Sequence, residues 1–271
     1  MRTWVLGSGS AGNAVLVECA PRSYLLIDAG FPPAELARRL ASIAVHPREI
    51  EGVVVTHEHT DHARGAAAAA RKWKWPIYAT RGTVAASIGL GRIGAHTFAP
   101  GETVALAEAD VESVRVAHDA AEPVALIVTA RRTGARTAIV YDLGEAGPAL
   151  RRVLHDIDVL VLEANHDRGM LRAGPYPPSV QRRIASRTGH LSNEAAARLA
   201  RDCAEAGMGE LVLAHLSTTC NDGRIALGAV ANVLAPMQWT GRVHVAQQEQ
   251  VVGPFVGRAR RLAPVQLTLE L

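Results

Sequence analysis

Six consecutive residues, 57–62, concentrate side chains that bind metal ions. The segment reads His-Glu-His-Thr-Asp-His, so three imidazoles and two carboxylates lie within one short stretch. These groups gain nothing in an apolar core, and a solvated polar loop is the weaker explanation for their density. Neutral imidazole nitrogens and carboxylate oxygens suit a borderline cation, with Zn²⁺ preferred and Mn²⁺ as the alternative. The alternation predicts two ions: His57 and His59 can face one, and Asp61 and His62 can face the other.

The elements around this segment place it at the end of a strand. Residues 53–56 are an apolar run that predicts a buried strand, and residues 61–74 predict an Ala-rich helix. In α/β folds, loops at the carboxyl ends of strands carry reactive groups. Three more residues of metal-binding type, His118, Asp142 and His215, each follow a predicted strand and could converge on the same edge. Those strands are predicted over residues 111–117, 137–141 and 211–214.

The remaining elements favour an α/β fold. Strands are predicted over residues 3–6, 14–18, 24–27, 77–79, 124–129 and 158–162, and two more after the last helix. Helices are predicted over residues 33–43, 83–88, 146–154, 192–204 and 223–234. A Pro- and Gly-rich excursion precedes the helix that begins near residue 192. No long linker interrupts the pattern, so we expect two β-rich layers faced by helices in a single domain over residues 1–271.

A glycine-rich segment near the start of the chain, residues 7–12, matches the GxGxxG pattern of dinucleotide-binding folds. That fold requires a helix directly after the glycines, whereas residues 13–18 are strand-like. A tight hairpin turn is therefore the better interpretation.

Composition and charge exclude several classes of protein. Of 271 residues, 48% are hydrophobic and 20% charged, which excludes disorder as the main state. The formal net charge of +3 carries little weight, because only Lys72 and Lys74 are lysines in an Arg- and Ala-rich chain. The three cysteines give no disulfide framework, and no leader or membrane-spanning run is evident. We expect a cytoplasmic protein without a membrane partner.

An ordered series of motifs resembles the metallo-β-lactamase superfamily, and within it the YycJ/WalJ branch, which is related to ribonuclease Z. The motifs are GSGSAGN at 7–13, DAG at 28–30, THEHTDH at 56–62, AHDAAEP at 117–123, YDLG at 141–144, EANHD at 163–167, GHLSN at 189–193 and AHLS at 214–217. The resemblance covers nearly the whole chain. It implies a four-layer αβ/βα sandwich, the metallo-β-lactamase fold.

The resemblance also implies a set of metal ligands. One ion would be bound by His57, His59 and His118, and the other by Asp61, His62 and His215. Asp142 would bridge the two ions, and Asp61 is assigned to the catalytic residues as well. Members that hydrolyse β-lactams typically place a cysteine in the second metal site, and Cys220 does not match that position. Antibiotic hydrolysis is therefore not expected.

His190 is the candidate catalytic residue outside the ligand set. It precedes Ser192, a predicted helix N-cap, so the positive end of that helix favours a phosphate nearby. Resemblance to ribonuclease Z implies that His190 gives a proton to the leaving oxygen and that Glu163 orients it. Leu162 stands where ribonuclease Z has a further histidine, while His166 follows three residues after Glu163. His166 is a substrate contact, a more distant partner of the site or a polar loop residue, and these alternatives stay open.

Arginines cluster in the sequence between His166 and His190. They are Arg168, Arg172, Arg182, Arg183 and Arg187. Arginine binds phosphate with two parallel hydrogen bonds, and an exposed tyrosine can stack on a base. Arg172 and Tyr176, with His166 and Ser192, are therefore candidate substrate contacts, although a solvated helix face explains the arginines equally well.

These observations predict a dinuclear metal-dependent phosphodiesterase. The resemblance implies a DNA exonuclease of 5′-to-3′ polarity, with DNA as the partner in preference to RNA and an unassigned oligomeric state. Three alternatives remain: a thioester or lactone hydrolase of the glyoxalase II type, a phosphodiesterase for small cyclic phosphates, and a metal-stabilised nucleic-acid binder without activity. The Glu163 and His190 pair disfavours the first, because a thioester needs no acid for its leaving group.

Overall fold

The computed structural model describes residues 1–260, which form fourteen strands and ten α-helices. The strands are β1 (Arg2–Gly7), β2 (Ala14–Ala20), β3 (Ser23–Ile27), β4 (Ile50–Val55), β5 (Ile77–Thr80), β6 (His96–Phe98), β7 (Thr103–Ala105), β8 (Ala109–Arg115), β9 (Val124–Ala130), β10 (Arg136–Val140), β11 (Val159–Glu163), β12 (Glu210–Ala214), β13 (Arg242–Val245) and β14 (Val252–Val256). The helices are α1 (Pro33–Ala41), α2 (Thr60–Ala63), α3 (Ala66–Trp73), α4 (Arg81–Ala86), α5 (Ile88–Arg92), α6 (Pro148–Val153), α7 (Arg168–Ala173), α8 (Pro178–Ile184), α9 (Asn193–Glu205) and α10 (Gly223–Leu234). Short 3₁₀ turns lie at Pro47–Glu49 and Ala235–Met237.

The strands build two seven-stranded mixed sheets. The first has the order β14-β1-β2-β3-β4-β5-β6 and the second the order β13-β12-β11-β10-β9-β8-β7. In the first sheet β3, β4, β5 and β6 are parallel neighbours, and in the second β10, β11, β12 and β13 are. Because parallel strands end at the same edge, the loops that follow them gather there.

Three hydrophobic layers hold the sheets and helices together. Leu25 of β3 and Leu126 of β9 belong to the layer between the two sheets. Leu36 of α1 packs on the outer face of the first sheet, and Leu199 of α9 packs on the outer face of the second. Burying each such leucine contributes about 1.5–3 kcal/mol. The predicted αβ/βα sandwich is confirmed.

The predicted helix over residues 61–74 is in fact two helices, α2 and α3, separated at Gly65. The carbonyl of Asp61, which would accept from Gly65 in a continuous helix, instead accepts from the backbone N–H of Asn13 at 2.7 Å. The Gly65 N–H donates to the carbonyl of Ala29 at 2.8 Å. A Cβ at position 65 would overlap the carbonyl of Phe31. The break therefore results from close packing of α2 on the loop after β3.

Two other regions differ from the sequence predictions. The helix predicted at 83–88 is two short helices, α4 and α5, that meet at Ser87. The Pro- and Gly-rich excursion contains α7, whose N-cap Asp167 accepts from the N–H of Met170 at 2.8 Å, and α8, which starts at Pro178. Proline is favoured in the first turn of a helix, so its presence here starts a helix and does not exclude one.

Other expectations are confirmed. The glycine-rich segment is the turn between antiparallel strands β1 and β2, and α10 has the predicted bounds. Cys19, Cys203 and Cys220 are buried free thiols. Within residues 1–260, no helix combines the length and apolarity that a bilayer crossing needs.

Candidate metal centre

The loops at one edge of the two sheets bring together nitrogen and oxygen atoms from distant parts of the chain. The side chains concerned are His57, His59, Asp61, His62, His118, Asp142 and His215. They follow β4, β8, β10 and β12 or lie in α2. All seven candidate ligands from the sequence therefore lie in one cluster, across which sets of three place ligand atoms within 4.8 Å of one another. A further set of four joins Asp142 and His215 to Glu163 and His190.

His57, His59 and His118 form the first set of ligand atoms. His118 Nε2 lies 3.3 Å from His59 Nδ1, and the rings of His57 and His59 meet edge to face. The other nitrogen of His118, Nδ1, donates to the carbonyl of Gly189 at 3.1 Å. That hydrogen bond leaves His118 Nε2 directed into the cluster.

Asp61, His62 and His215 form the second set. Asp61 Oδ2 lies 3.3 Å from His62 Nε2 and 3.3 Å from His215 Nε2. Asp142 lies between the two sets, with Oδ2 2.7 Å from His62 Nε2 and 4.0 Å from His57 Nε2. The Asp142 backbone has φ of 54°, a left-handed conformation that costs about 1–3 kcal/mol for a residue other than glycine.

Unpartnered buried atoms show that the cluster fits divalent cations. His57 Nε2 and Asp142 Oδ2 are buried and have no hydrogen-bond partner within residues 1–260. Asp142 Oδ2 approaches His62 Nε2 without hydrogen-bond geometry. Leaving such groups unpaired in the interior is costly. Imidazole nitrogens and carboxylate oxygens are ligands for Zn²⁺ and similar ions, so bound metal would satisfy these atoms.

Asp28, at the end of β3, fixes the orientation of His62. Its Oδ2 accepts from His62 Nδ1 at 2.7 Å, from the Thr56 hydroxyl at 2.8 Å and from the Tyr141 hydroxyl at 2.8 Å. Its Oδ1 accepts from the Thr56 backbone N–H at 2.7 Å. Donation from Nδ1 leaves His62 Nε2 free to face the cluster, which is the usual role of a carboxylate behind a histidine ligand.

The hairpin between β1 and β2 supports the second set. Asn13 Nδ2 donates to Asp61 Oδ2 at 3.2 Å, and the Ser8 hydroxyl accepts from the His215 backbone N–H at 2.8 Å. At Gly30 a Cβ would overlap the Asp61 carbonyl, so only glycine allows this approach. Sequence reasoning treated residues 7–12 only as a turn and assigned no role to Asp28 or Asn13. Polar residues beside glycines at a strand end were the available signal.

Glu163 joins His190 to the cluster. Glu163 is fully buried, and its Oε1 accepts from His190 Nδ1 at 2.7 Å and from His215 Nδ1 at 3.0 Å. Its Oε2 accepts from the backbone N–H groups of Leu143 at 3.2 Å and Leu191 at 3.0 Å. The carboxylate is held by four donors, so it sets the orientation of both imidazoles.

Burial and neighbouring charges set the pKa of each histidine. Burial favours the neutral imidazole and lowers the pKa of His57 and of His118. At His190 burial acts in the same direction, but the charge of Glu163 and the hydrogen bond to Asp142 outweigh it and raise its pKa to about 11. Burial raises the pKa of Glu163, but the charge of His190 outweighs it and lowers that pKa to about 2. The pair therefore combines a histidine of raised pKa with a carboxylate of lowered pKa.

The carboxylates of the cluster are kept ionised by the imidazoles around them. Burial raises the pKa of Asp142, but the charges of His215 and His62 outweigh it and lower that pKa well below its usual range. Burial also raises the pKa of Asp61, and hydrogen bonds from His215 and His62 more than offset it. Burial lowers the pKa of His62, but the charges of Asp142 and Asp28 raise it well above its usual value. Ionised carboxylates are the form that binds cations.

A cavity beside His190 contains most of the candidate substrate contacts. His166, Arg172 and Ser192 line it together with His190. Tyr176 is not part of this lining; its carbonyl accepts from Gln181 at 2.9 Å.

Three of the five clustered arginines lie in surface ion pairs, which is the alternative interpretation of that cluster. Arg183 pairs with Asp119 at 2.9 Å, Arg187 with Glu145 at 2.8 Å and Arg168 with Glu194 at 3.6 Å. All three arginines are exposed. A solvated face therefore describes Arg183 and Arg187, whereas Arg168, Arg172 and Arg182 line the cavity.

Comparisons with known proteins identify relatives along most of the chain. Residues 23–216 match the family described as beta-lactamase superfamily domain. The exodeoxyribonuclease YycJ of Bacillus anthracis is 35% identical over 85% of this chain and 88% of its own length. The exodeoxyribonuclease WalJ of Streptococcus pneumoniae is 32% identical over 85% of this chain and 87% of its own. The Zn²⁺-bound structure of PqqB from Methylobacterium extorquens has the same fold, with a TM-score of 0.69, 19% identity and coverage of 93% of this chain and 100% of that one.

Proposed function

Because the chain belongs to the beta-lactamase superfamily, we propose that it is a metal-dependent phosphodiesterase that degrades DNA as an exonuclease. One observation carries this proposal beyond the family: His190, hydrogen-bonded to the buried Glu163, stands beside a cluster of metal-binding groups. Such a pair supplies a positioned acid, which an alkoxide leaving group requires. The names of YycJ and WalJ as exodeoxyribonucleases support DNA as the substrate.

Two divalent metal ions are the cofactors that we propose, with Zn²⁺ preferred and Mn²⁺ as the alternative. One would be held by His57, His59 and His118. The other would be held by Asp61, His62 and His215. Asp142 would bind both ions, because its carboxylate lies near imidazoles of each set.

Each part of the site has a separate task in hydrolysis. When bound, the ions supply Lewis-acid chemistry, which makes a water molecule a better nucleophile and offsets charge on the phosphodiester. Glu163 holds His190 through Nδ1. The other ring nitrogen, Nε2, would then carry the proton that passes to the leaving oxygen. Glu163 holds that imidazole in one orientation and stabilises its positive charge. Asp61 is proposed for both the ligand set and the catalytic set, and its Oδ2 faces two candidate ligand histidines.

Substrate contacts are proposed for residues at the rim of the site. His166, Arg172 and Ser192 line the cavity beside His190, and Tyr176 follows α7 in the same segment. The 5′-to-3′ polarity comes from the resemblance to the YycJ/WalJ branch. The free, buried cysteines are compatible with a reducing compartment, and we propose the cytoplasm.

The test compares three variants on an end-labelled oligonucleotide, with metal content measured in each. We expect His190→Ala to lower turnover by about 10²–10⁴-fold with its metal retained, the range for a positioned acid. Asp142→Ala should lose both metal and cleavage. His155→Ala, at an exposed histidine, is the matched control and should behave like the unmodified protein.

Several outcomes would contradict the proposal. Undiminished cleavage by Asp142→Ala or by the chelator-treated protein would exclude metal-dependent hydrolysis. Loss of metal from His190→Ala would make His190 a ligand. Faster hydrolysis of S-lactoylglutathione than of bis-p-nitrophenyl phosphate would favour thioester chemistry.

A further inference from the structure

A cavity of about 410 Å³ lies beside His190, which forms part of its wall. Leu171 of α7, with Pro178 and Ala185 from α8 and its C-cap, gives the cavity an apolar surface. A volume in this range suits one small organic ligand and excludes a double helix. The cavity is therefore sized for a single unit of a polymer, next to the proposed acid.

His166 is a buried polar group of this cavity without a partner. Only 2% of its surface is exposed, and its Nδ1 has no hydrogen-bond partner within residues 1–260. Its backbone is fixed, because its carbonyl accepts from the Asn193 N–H at 2.9 Å and it forms a β-bridge with Ser192. An unpaired buried nitrogen is costly, so it marks a position where a ligand can add a hydrogen bond.

Two guanidinium groups of the cavity wall are free to bind an anion. Arg172 and Arg182 have no carboxylate within 4.0 Å among the residues described, whereas Arg168 lies 3.6 Å from Glu194. Guanidinium groups bind phosphate with two parallel hydrogen bonds. Ser192 caps the thirteen-residue helix α9, whose positive N-terminal end adds to the positive potential of the two arginines. Apolar walls, a polar base and cationic side chains together suit a nucleotide.

We infer that this cavity holds the 5′-terminal nucleotide of a DNA strand, with its 5′-phosphate on Arg172 and Arg182. The inference rests on the proposed function, in which His190 protonates the leaving oxygen. Water oxygen forms a bond to the phosphorus between the first and second nucleotides, and the bond from that phosphorus to O3′ of the first breaks. O3′ takes a proton from His190, and the attacking water gives one up to solvent.

The 5′-to-3′ polarity of the proposed function places the leaving oxygen, O3′, on the first nucleotide. That nucleotide must then lie beside His190, where the cavity is. The cavity then receives one nucleotide per turnover, and the enzyme releases 5′-mononucleotides from 5′-phosphorylated ends.

Binding to the full-length protein tests the cavity without relying on catalysis. Isothermal titration calorimetry would compare thymidine 5′-monophosphate, thymidine 3′-monophosphate and thymidine. We expect the 5′-monophosphate to bind most tightly, and Arg172→Ala and Arg182→Ala each to weaken it about tenfold or more, as expected for a lost charged hydrogen bond. His166→Ala should weaken the binding of the 5′-monophosphate and of thymidine alike. Arg172 and Arg182 are exposed, so their replacement should not disturb folding. Arg198→Ala, exposed on α9 outside the cavity, is the control and should leave binding unchanged.

Cleavage of matched oligonucleotides separates this inference from the proposed function. A 5′-phosphorylated strand should be degraded about tenfold faster than a 5′-hydroxyl strand, and Arg172→Ala should remove most of that difference. Two results together would overturn the nucleotide site: cleavage that does not depend on the 5′-phosphate, and equal binding of thymidine 5′-monophosphate by Arg172→Ala and Arg198→Ala. The proposed phosphodiesterase activity would not be contradicted by them. Arg172-dependent binding without any cleavage would instead overturn the proposed function.

Discussion

Replacing Glu163 by glutamine should disable the site while keeping its shape. Glutamine keeps one acceptor oxygen where the carboxylate has two, and that oxygen is needed by the backbone N–H groups of Leu143 and Leu191, which cannot rotate away. The amide NH₂ must then face His190 and His215. Each imidazole would accept at Nδ1 and carry its proton on Nε2.

The size of the effect follows from these two hydrogen bonds. For His215, a protonated Nε2 cannot bind a cation, and loss of such a supporting partner lowers metal affinity by about 10- to 100-fold. For His190, loss of the ionised partner at 2.7 Å lowers its pKa from about 11 and removes a charged hydrogen bond. We therefore expect turnover to fall by about 10²–10⁴-fold even at saturating metal, the contribution of a positioned acid.

The assay combines metal content after dialysis, cleavage of a labelled oligonucleotide at saturating metal, and histidine tautomers observed by NMR. Glu210→Gln is the matched control, because Glu210 is also a buried glutamate on the neighbouring strand β12 and accepts from His244 Nε2 at 3.0 Å. It should retain metal and activity. Wild-type turnover by Glu163→Gln, or an equal loss in Glu210→Gln, would refute the reasoning.

Three further predictions address the support of the metal centre. Asp28→Asn should lower the free energy of unfolding by about 1–3 kcal/mol in urea titrations, because a charged acceptor is lost; unchanged stability would contradict the role of this carboxylate. Gly30→Ala should weaken metal binding in equilibrium dialysis, because a Cβ there meets the Asp61 carbonyl, whereas Gly147→Ala, with open space around position 147, should not. Chelation should lower the melting temperature by about 5–10 °C in calorimetry, since ions bind the folded state; an unchanged melting temperature would argue against a bound ion.

The position of the cluster could be predicted from the sequence because its residues follow strands with recognisable apolar patterns. The apolar run before His57 and those before Asp142 and His215 mark buried strands, and parallel strands end at the same edge. The ligand types alone then indicate a cation. The order of strands and helices predicted two β-rich layers faced by helices, and the resemblance to the superfamily implied the four-layer sandwich.

The supporting residues could not be predicted because their roles depend on contacts between distant segments. Asn13 reaches Asp61 across 48 positions, and nothing local to the glycine-rich turn indicates that contact. The backbone N–H of Asn13 also donates to the Asp61 carbonyl, where a continuous helix would accept from Gly65, so the end of α2 could not be predicted either. Helices α7 and α8 were missed because Pro178 and the nearby glycines were treated as breakers. Asp167 caps the start of α7, and Pro178 occupies the first turn of α8, where proline is favoured.

A metal titration of the stripped protein tests the central claim most directly. Zn²⁺ or Mn²⁺ would be added in steps to the chelator-treated, dialysed chain while cleavage of a labelled DNA strand is followed. We predict no cleavage without metal and a rise that saturates near two ions per chain. Full cleavage by the metal-free protein, or a cleavage rate that reaches its maximum before any ion is bound, would contradict the account.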